Sequence, residues 1–281
     1  RSALRNLAQR KQEVQDLIGA QGKLTAEARA AIERAATVTE VDDIYRPFRP
    51  KRKTRASVAR ERGLEDLAIL LFAQEKSYTP SIEEQAARFV DPEREVPDVA
   101  AALQGAMDIV AEEVSDNADY RRELRRLTFD AGSLTSKAAK EEDSVYAMYY
   151  DFSEPLRKLP GHRILAINRG EKEEFLKVAL TVPEDVVLGY LYNRVLSGNR
   201  SPAEPYVREA VTDAYNRLIA PSIEREIRND LFDTACEGAI KVFSDNLGHL
   251  LMQPPLKGKV VLGFDPGYAH GCKLAVVDPT G

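Results

Sequence analysis

Apolar residues recur every three or four positions along most of this chain, and that spacing constrains the fold more than any other feature. The spacing is typical of amphipathic helices, and it continues to about Pro254 without a tandem repeat of fixed length. It is clearest after Pro221, where Ile223 and Ile227 begin a series at every fourth residue. We expect one continuous helix over residues 221–251, about 48 Å long, packed both on the helical body and on the residues after the prolines.

Caps and stop signals predict where the shorter helices begin and end. Thr25 and Thr54 are favourable N-caps, and Gly19 and Gly63 are typical of residues that end helices. These signals predict helices over 3–18, 26–36, 55–62, 64–73, 98–114 and 117–128, and a short separate segment over 40–46. Asp116 is the expected cap of the helix over 117–128. Strand-forming residues over 175–182 predict a short strand.

The sequence changes character after Pro254 and Pro255. Two runs rich in strand formers, 259–265 and 272–278, are separated by a turn over 266–271. We therefore predict a mainly α fold: a multi-helix region over residues 1–255 with a long central helix, then the first β-hairpin of a truncated second domain over 256–281.

Composition excludes several classes of protein. The chain has 40 Lys and Arg against 45 Asp and Glu, a net charge of -5, so no global charge attracts it to nucleic acid or to a membrane. No apolar run approaches the roughly 18 to 20 residues of a membrane-spanning helix. Cys236 and Cys272 lie far apart, which favours a reducing, cytoplasmic location over a disulfide-stapled secreted fold.

A basic segment stands out against this acidic background. Residues 46–60 contain seven basic residues and no acidic one. Prolines 47 and 50 hold the segment extended, and the amide groups of the helix that begins after Thr54 would favour an anion. Such a segment can bind RNA or DNA phosphates weakly and without sequence preference, or its arginines can pair with surplus acids within the chain. The candidate nucleic-acid-binding residues are Arg46, Arg49, Lys51, Arg52, Lys53, Arg55 and Arg60.

Asp265 is the one candidate for metal-dependent catalysis. It ends the first predicted strand of the hairpin and precedes a Pro-Gly turn. A two-metal site needs several carboxylates that converge from different strands, and Asp278 falls at the far end of the second strand. Asp265 is therefore either a vestigial metal ligand or a residue that caps the turn. We predict no metal, no cofactor and no catalytic residue, so the chain is not expected to be an enzyme.

Other candidate residues have structural interpretations that we favour. Four arginines recur at helical spacing over 121–126 and predict a solvated helix face. The aromatic cluster over 146–152 could stack on bases, but the apolar residues around it favour core packing. His162 is expected at a helix start with a partly buried ring. A zinc set is disfavoured because its members are too dispersed: Cys236, His249, His270 and Cys272.

Six segments together resemble one family, the bacterial Tex transcription accessory proteins. The resemblance includes Gly263-Phe264-Asp265-Pro266-Gly267 and covers nearly the whole chain in family order. The matching segments are 22–25, 43–56, 63–68, 162–171, 260–267 and 273–278.

The resemblance implies a helical region followed by the opening hairpin of a YqgF, or RNase H-like, domain. In the family, RNA binding is attributed mostly to a C-terminal module, and the YqgF domain is regarded as lacking a complete nuclease site. The chain is expected to be a helical scaffold that contacts nucleic acid, and the alternative left open is a pure protein-interaction scaffold that docks on transcription components such as RNA polymerase. One position departs from the family pattern, because Ala269 and His270 stand where an Arg-Thr pair is common before Gly271.

Overall fold

A computed structural model describes residues 2–50, 53–140, 142–254, 256–267 and 269–280. Helices dominate these residues, as the apolar spacing predicts. The α-helices are α1 Ser2–Ala20, α2 Ala26–Arg34, α3 Val38–Tyr45, α4 Arg55–Glu61, α5 Glu65–Ala73, α6 Ile82–Ala86, α7 Val99–Asp116, α8 Ala118–Ala131, α9 Gly161–Lys172, α10 Glu184–Val195, α11 Glu204–Asp213 and α12 Ala220–Leu251.

Side-chain caps set the helix starts. Thr25 and Thr54 accept hydrogen bonds from amides in the first turns of α2 and α4, as predicted. The expected cap of α8 is wrong by one residue: Asp116 ends α7, and Asn117 accepts the Tyr120 amide at 3.0 Å. A single residue separates α7 from α8, and its extended backbone turns the chain sharply.

The long helix is continuous, as predicted, and begins earlier than its apolar series suggests. One turn of π-helix, Ala214–Ile219, joins α11 to α12 without a break. Pro221 lies in the first turn of α12, where its missing N–H would interrupt a regular ladder. The wider π-turn directly before it accommodates this interruption, so the helical path runs from Glu204 to Leu251.

Only the first half of α12 is covered by the body. Ile223, Ile227 and Ala235 are buried, whereas Ile240 and Phe243 are 67% and 68% exposed. The expectation that α12 packs on the residues after the prolines as well as on the helical body is therefore wrong: its second half and most residues after 255 are exposed. Periodicity identifies apolar residues, but it does not supply the surface that covers them.

Two small antiparallel sheets complete the fold. The strands are β1 Ser133–Ala138, β2 Asp151–Pro155, β3 Leu176–Thr181, β4 Val261–Asp265 and β5 Lys273–Val277. The first sheet has the order β2-β1-β3, and β3 is the strand expected over 175–182. The second is the predicted hairpin of β4 and β5, whose residues are exposed except for the half-buried Val261.

The buried apolar residues form two separate cores. The larger core joins α4–α12 to the first sheet and includes Leu67, Val110 and Ile167. The smaller core belongs to α1–α3 and includes Ile18 and Ile32. Within the described residues, no helix combines the length and the apolarity needed to cross a membrane.

Candidate nucleic-acid interface

The basic segment begins where α3 ends, and its first arginine turns inward. Arg46–Phe48 form one turn of 3-10 helix, and the Arg46 Nε lies 3.2 Å from Asp116 Oδ1. Burial and the nearby charge of Arg121 lower the pKa of Arg46, although Asp116 and Asp43 oppose them. Arg46 is thus held against the body and does not point into solvent.

Arg60, at the other end of the segment, is also paired within the chain. Its Nη1 lies 2.6 Å from Glu112 Oε2, and its Nη2 lies 3.2 Å from Glu113 Oε1. Burial acts to lower the pKa of Arg60, but the hydrogen bond and charge of Glu112 outweigh it, so that the pKa is raised. Internal pairing therefore holds for both ends of the basic segment.

The exposed cations lie between these two anchors. Arg49 is exposed, and its guanidinium carbon lies 5.6 Å from the centre of the Tyr45 ring. Lys53 and Arg55 are exposed beside the start of α4. Lys51 and Arg52 lie outside the described residues. Among the described candidates, Arg49, Lys53 and Arg55 form the surface that a phosphate could reach.

The start of α4 is closed by its own side chains. The Ser57 amide donates to Thr54 Oγ1 at 3.0 Å, and the Thr54 amide donates to Ser57 Oγ at 2.8 Å. The Thr54 hydroxyl also donates to Glu112 Oε1 at 3.1 Å. An anion at this terminus would compete with the Glu112 carboxylate, so the exposed side chains offer phosphate a better approach than the amides do.

The hairpin holds Asp265 and Asp278 apart. Asp265 is exposed and pairs across the strands with Lys273, whereas Val277, just before Asp278, pairs with Val261. The carboxylates therefore lie at opposite ends of the hairpin, as predicted. Nowhere in the described residues do three or more His, Cys, Asp or Glu side chains form a group that could hold a metal ion.

The arginine face on α8 is not simply solvated. Arg121 is completely buried and Arg125 is 17% exposed, whereas Arg122 and Arg126 project outward. The predicted solvated face is wrong for the first pair, because both contact Asp43, on α3. The pairing of Arg121 and Arg125 with Asp43 could not be predicted from helical spacing. That spacing shows which arginines share a helix face but not which acidic residues lie opposite them.

The remaining candidates divide between core and surface. Tyr146 and Tyr149 are buried in the main core, which confirms the packing interpretation. His162 is exposed at the start of α9, so the expected partly buried ring is wrong. Cys236 is half-buried on α12, and Cys272 is exposed beside β5.

Fold and site together define a helical scaffold that presents the basic segment over residues 46–60, here called the basic loop. The first and last arginines of this loop are paired within the chain. Residues 77–243 match the family model described as Tex central region-like. The chain belongs to the Tex family of transcription accessory proteins.

Curated relatives support this assignment over nearly the whole chain. The chain is 45% identical to the uncharacterized protein YdcI of Bacillus subtilis over 99% of its length, and it covers 39% of that protein. It is 36% identical to Protein tex of Bordetella pertussis over 93% of its length, which is 35% of the relative. It is 30% identical to human S1 RNA-binding domain-containing protein 1 over 99% of its length, which is 29% of the relative. The chain thus spans less than two fifths of each of these three relatives.

Proposed function

We propose that this chain is the helical scaffold and a nucleic-acid-contacting region of a cytoplasmic, Tex-like transcription accessory protein. The observation that carries the proposal is the exposure of Arg49, Lys53 and Arg55 on one basic loop of an acidic chain. The human relative is named for an RNA-binding domain, which supports RNA as the ligand to test first.

Phosphate contact through such a loop has a distinctive salt dependence. Each single-strand phosphate that a cation neutralises contributes about -0.7 to the slope of log affinity against log salt. Because the contacts are to the backbone, binding is blind to base sequence. We expect non-specific dissociation constants no tighter than about 10 to 100 µM at physiological salt.

The test is a titration of labelled single-stranded RNA at three salt concentrations. The variant Arg49→Glu/Lys53→Glu/Arg55→Glu should flatten the salt slope by about 2, because three contacts are lost. The control is Arg29→Glu/Arg88→Glu/Lys172→Glu, which makes the same change in net charge at exposed sites outside the loop. An equal change of the salt slope in both variants would mean that RNA binding depends only on net charge. An unchanged salt slope in the loop variant would refute the proposal.

We also propose that the chain is not a nuclease. The support is the separation of Asp265 from Asp278 along the hairpin, since two-metal chemistry needs carboxylates that converge. Incubation of DNA and RNA with Mg²⁺ or Mn²⁺ should leave both intact. Cleavage that copurifies with the chain and is lost in Asp265→Asn would establish the alternative, a metal-dependent RNase H-like nuclease.

A protein-interaction scaffold is the second candidate function, and one observation favours it. Residues 227–246 of α12 line a groove of about 1310 Å³ together with α3, α8 and α9, and exposed apolar side chains such as Phe243 form part of its wall. An exposed apolar surface of this kind marks sites of protein contact. If RNA binding proves absent at low salt, the scaffold function, with transcription components such as RNA polymerase as partners, becomes the better account.

A further inference from the structure

The helices α1–α3 have a hydrophobic core of their own. Val14, Ile18, Ile32 and Val41 are each fully buried in it, and no buried residue of this core belongs to the main one. Separate cores allow separate cooperative units, because apolar burial is what makes elements of a protein open and close together. The unit made of α1–α3, here called the N-terminal unit, is therefore joined to the body by something other than a shared core.

The boundary between the N-terminal unit and the body contains an open groove with many charged residues. A groove of about 670 Å³ separates α2 and α3 from the junction of α7 and α8. Its walls carry charged residues on both sides, among them Arg34 and Glu40 on the unit and Asp119 and Arg122 on the body. Apolar residues such as Ile44 and Ala118 also line this groove, but the two buried cores do not merge across it.

Ion pairs cross the boundary instead. Asp43 on α3 lies 2.7 Å from Arg121 Nε and 2.8 Å from Arg125 Nη2, one carboxylate oxygen for each arginine. On the body side, Glu226 of α12 lies 3.1 Å from Arg121 and 2.7 Å from Arg125. Ser222 completes the cluster by donating to Glu226 at 2.9 Å.

The balance of charge in this cluster depends on the N-terminal unit. Arg121 is buried and Arg125 is nearly buried, and the two share the carboxylates of two acidic residues. One carboxylate belongs to Glu226 on α12, and the other belongs to Asp43 on α3. Arg121 Nη1 is buried and finds no hydrogen-bond partner among the described residues. Removing one member of a buried ion pair is strongly destabilising, because the charge left behind remains desolvated.

We propose that the cluster of Asp43, Arg121, Arg125 and Glu226 is an ionic latch that docks the N-terminal unit on the body and allows it to open as a unit. Opening rehydrates both arginines while the α1–α3 core stays intact. Arg46 lies three residues after Asp43 and pairs with Asp116 on α7, so opening also breaks that pair and displaces the first end of the basic loop.

Native-state hydrogen exchange of the whole chain tests the latch. Asp43→Asn should speed amide exchange throughout α1–α3 by about tenfold or more and leave α7 and α11 unchanged, because only the unit loses its docking contact. The matched control is Asp42→Asn at the neighbouring position, whose carboxylate pairs with Arg10 inside the unit at 2.7 Å. The control should leave exchange in α1–α3 within about threefold of the unaltered chain, since one partly exposed pair contributes little.

A second measurement uses the unaltered chain. In urea below the unfolding transition, α1–α3 should lose protection together while α7 stays protected. Simultaneous loss of protection in α1–α3 and α7 would overturn the proposal, because the chain would then open as one cooperative body. Equal acceleration by Asp42→Asn and Asp43→Asn, or failure of Asp43→Asn to fold at all, would also overturn it.

Discussion

At the scale of single residues, close contacts decide where the chain tolerates change. Gly170 on α9 is buried where the helix approaches the start of β3. A Cβ at this position would lie 2.7 Å from Leu176 Cδ1 and 3.0 Å from Tyr146 Cδ1. Glycine is required here for the close approach of helix and strand, and the segment over 162–171 that carries the family resemblance includes it.

Gly170→Ala should lower the free energy of unfolding by about 1–3 kcal/mol, because overpacking outweighs the gain in helix propensity. Gly189→Ala is the control: Gly189 lies inside α10, and its Cβ would meet nothing within 4 Å. That control should be neutral or stabilising by up to about 1 kcal/mol. Urea unfolding followed by circular dichroism measures both, and equal stability of the two variants would contradict the contact argument.

Glu226, a member of the ionic cluster, is expected to make the free energy of unfolding depend on pH in the acid range. Burial acts to raise the pKa of Glu226, but hydrogen bonding and charge from Arg125, with the charge of Arg121, outweigh it, so that the pKa is lowered. A carboxyl whose pKa is lower in the folded protein than in the unfolded chain stabilises the fold at pH values above its unfolded-chain pKa of about 4.3. This stabilisation is lost as the pH falls through the pKa of the folded protein.

Glu226→Gln should therefore reduce stability near neutral pH and make its loss below about pH 5 shallower. Glu209→Gln, which alters an exposed carboxyl on α11, is the control. Its free energy of unfolding should fall with acid pH in the same way as that of the unaltered chain. The measurement is the free energy of unfolding in urea at a series of pH values. A Glu226→Gln profile parallel to the original would show that Glu226 does not carry this dependence.

At the scale of elements, local signals located some helices and some strands and missed others. Strand-forming residues predict β3, β4 and β5 within two residues, whereas the helices α6, α10 and α11 were not predicted. Apolar spacing and caps placed α2, α4, α7 and α12 within a few residues, because a helix satisfies its own backbone and leaves a local signature. The strands β1 and β2 were missed. Polar residues such as Thr135 and Ser153 dominate them, and pairing with each other and with β3 makes them strands.

The two halves of α12 should respond differently to truncation. Phe243→Ala should change the free energy of unfolding by less than about 0.5 kcal/mol, since the side chain is 68% exposed. Ile227→Ala, at a side chain that is 3% exposed, should cost about 2–5 kcal/mol. A large loss in Phe243→Ala, measured by urea unfolding of dilute protein, would mean that something covers this half in solution.

At the scale of the whole molecule, three exposed cations of an acidic chain lie close together in sequence between two internally paired arginines. The sequence identified the basic segment and the two possibilities for it, phosphate contact or internal pairing. The sequence alone could not show which arginines pair and which stay exposed. Asp116 and Glu112 are distant in sequence from Arg46 and Arg60, and they meet only because α4 packs on α7 and α3 ends near the junction of α7 and α8. The structure shows pairing at both ends and exposure of Arg49, Lys53 and Arg55, the described cations between them.

Photochemical crosslinking tests the central claim, nucleic-acid contact by the basic loop, most directly. Single-stranded RNA that carries a photoreactive uridine is irradiated with the chain at low salt, and the crosslinked peptides are identified by mass spectrometry. We predict crosslinks concentrated between residues 46 and 60 that disappear in Arg49→Glu/Lys53→Glu/Arg55→Glu and persist in Arg29→Glu/Arg88→Glu/Lys172→Glu. Crosslinks located mainly on α12 or on the hairpin, or unchanged in the loop variant, would contradict the account.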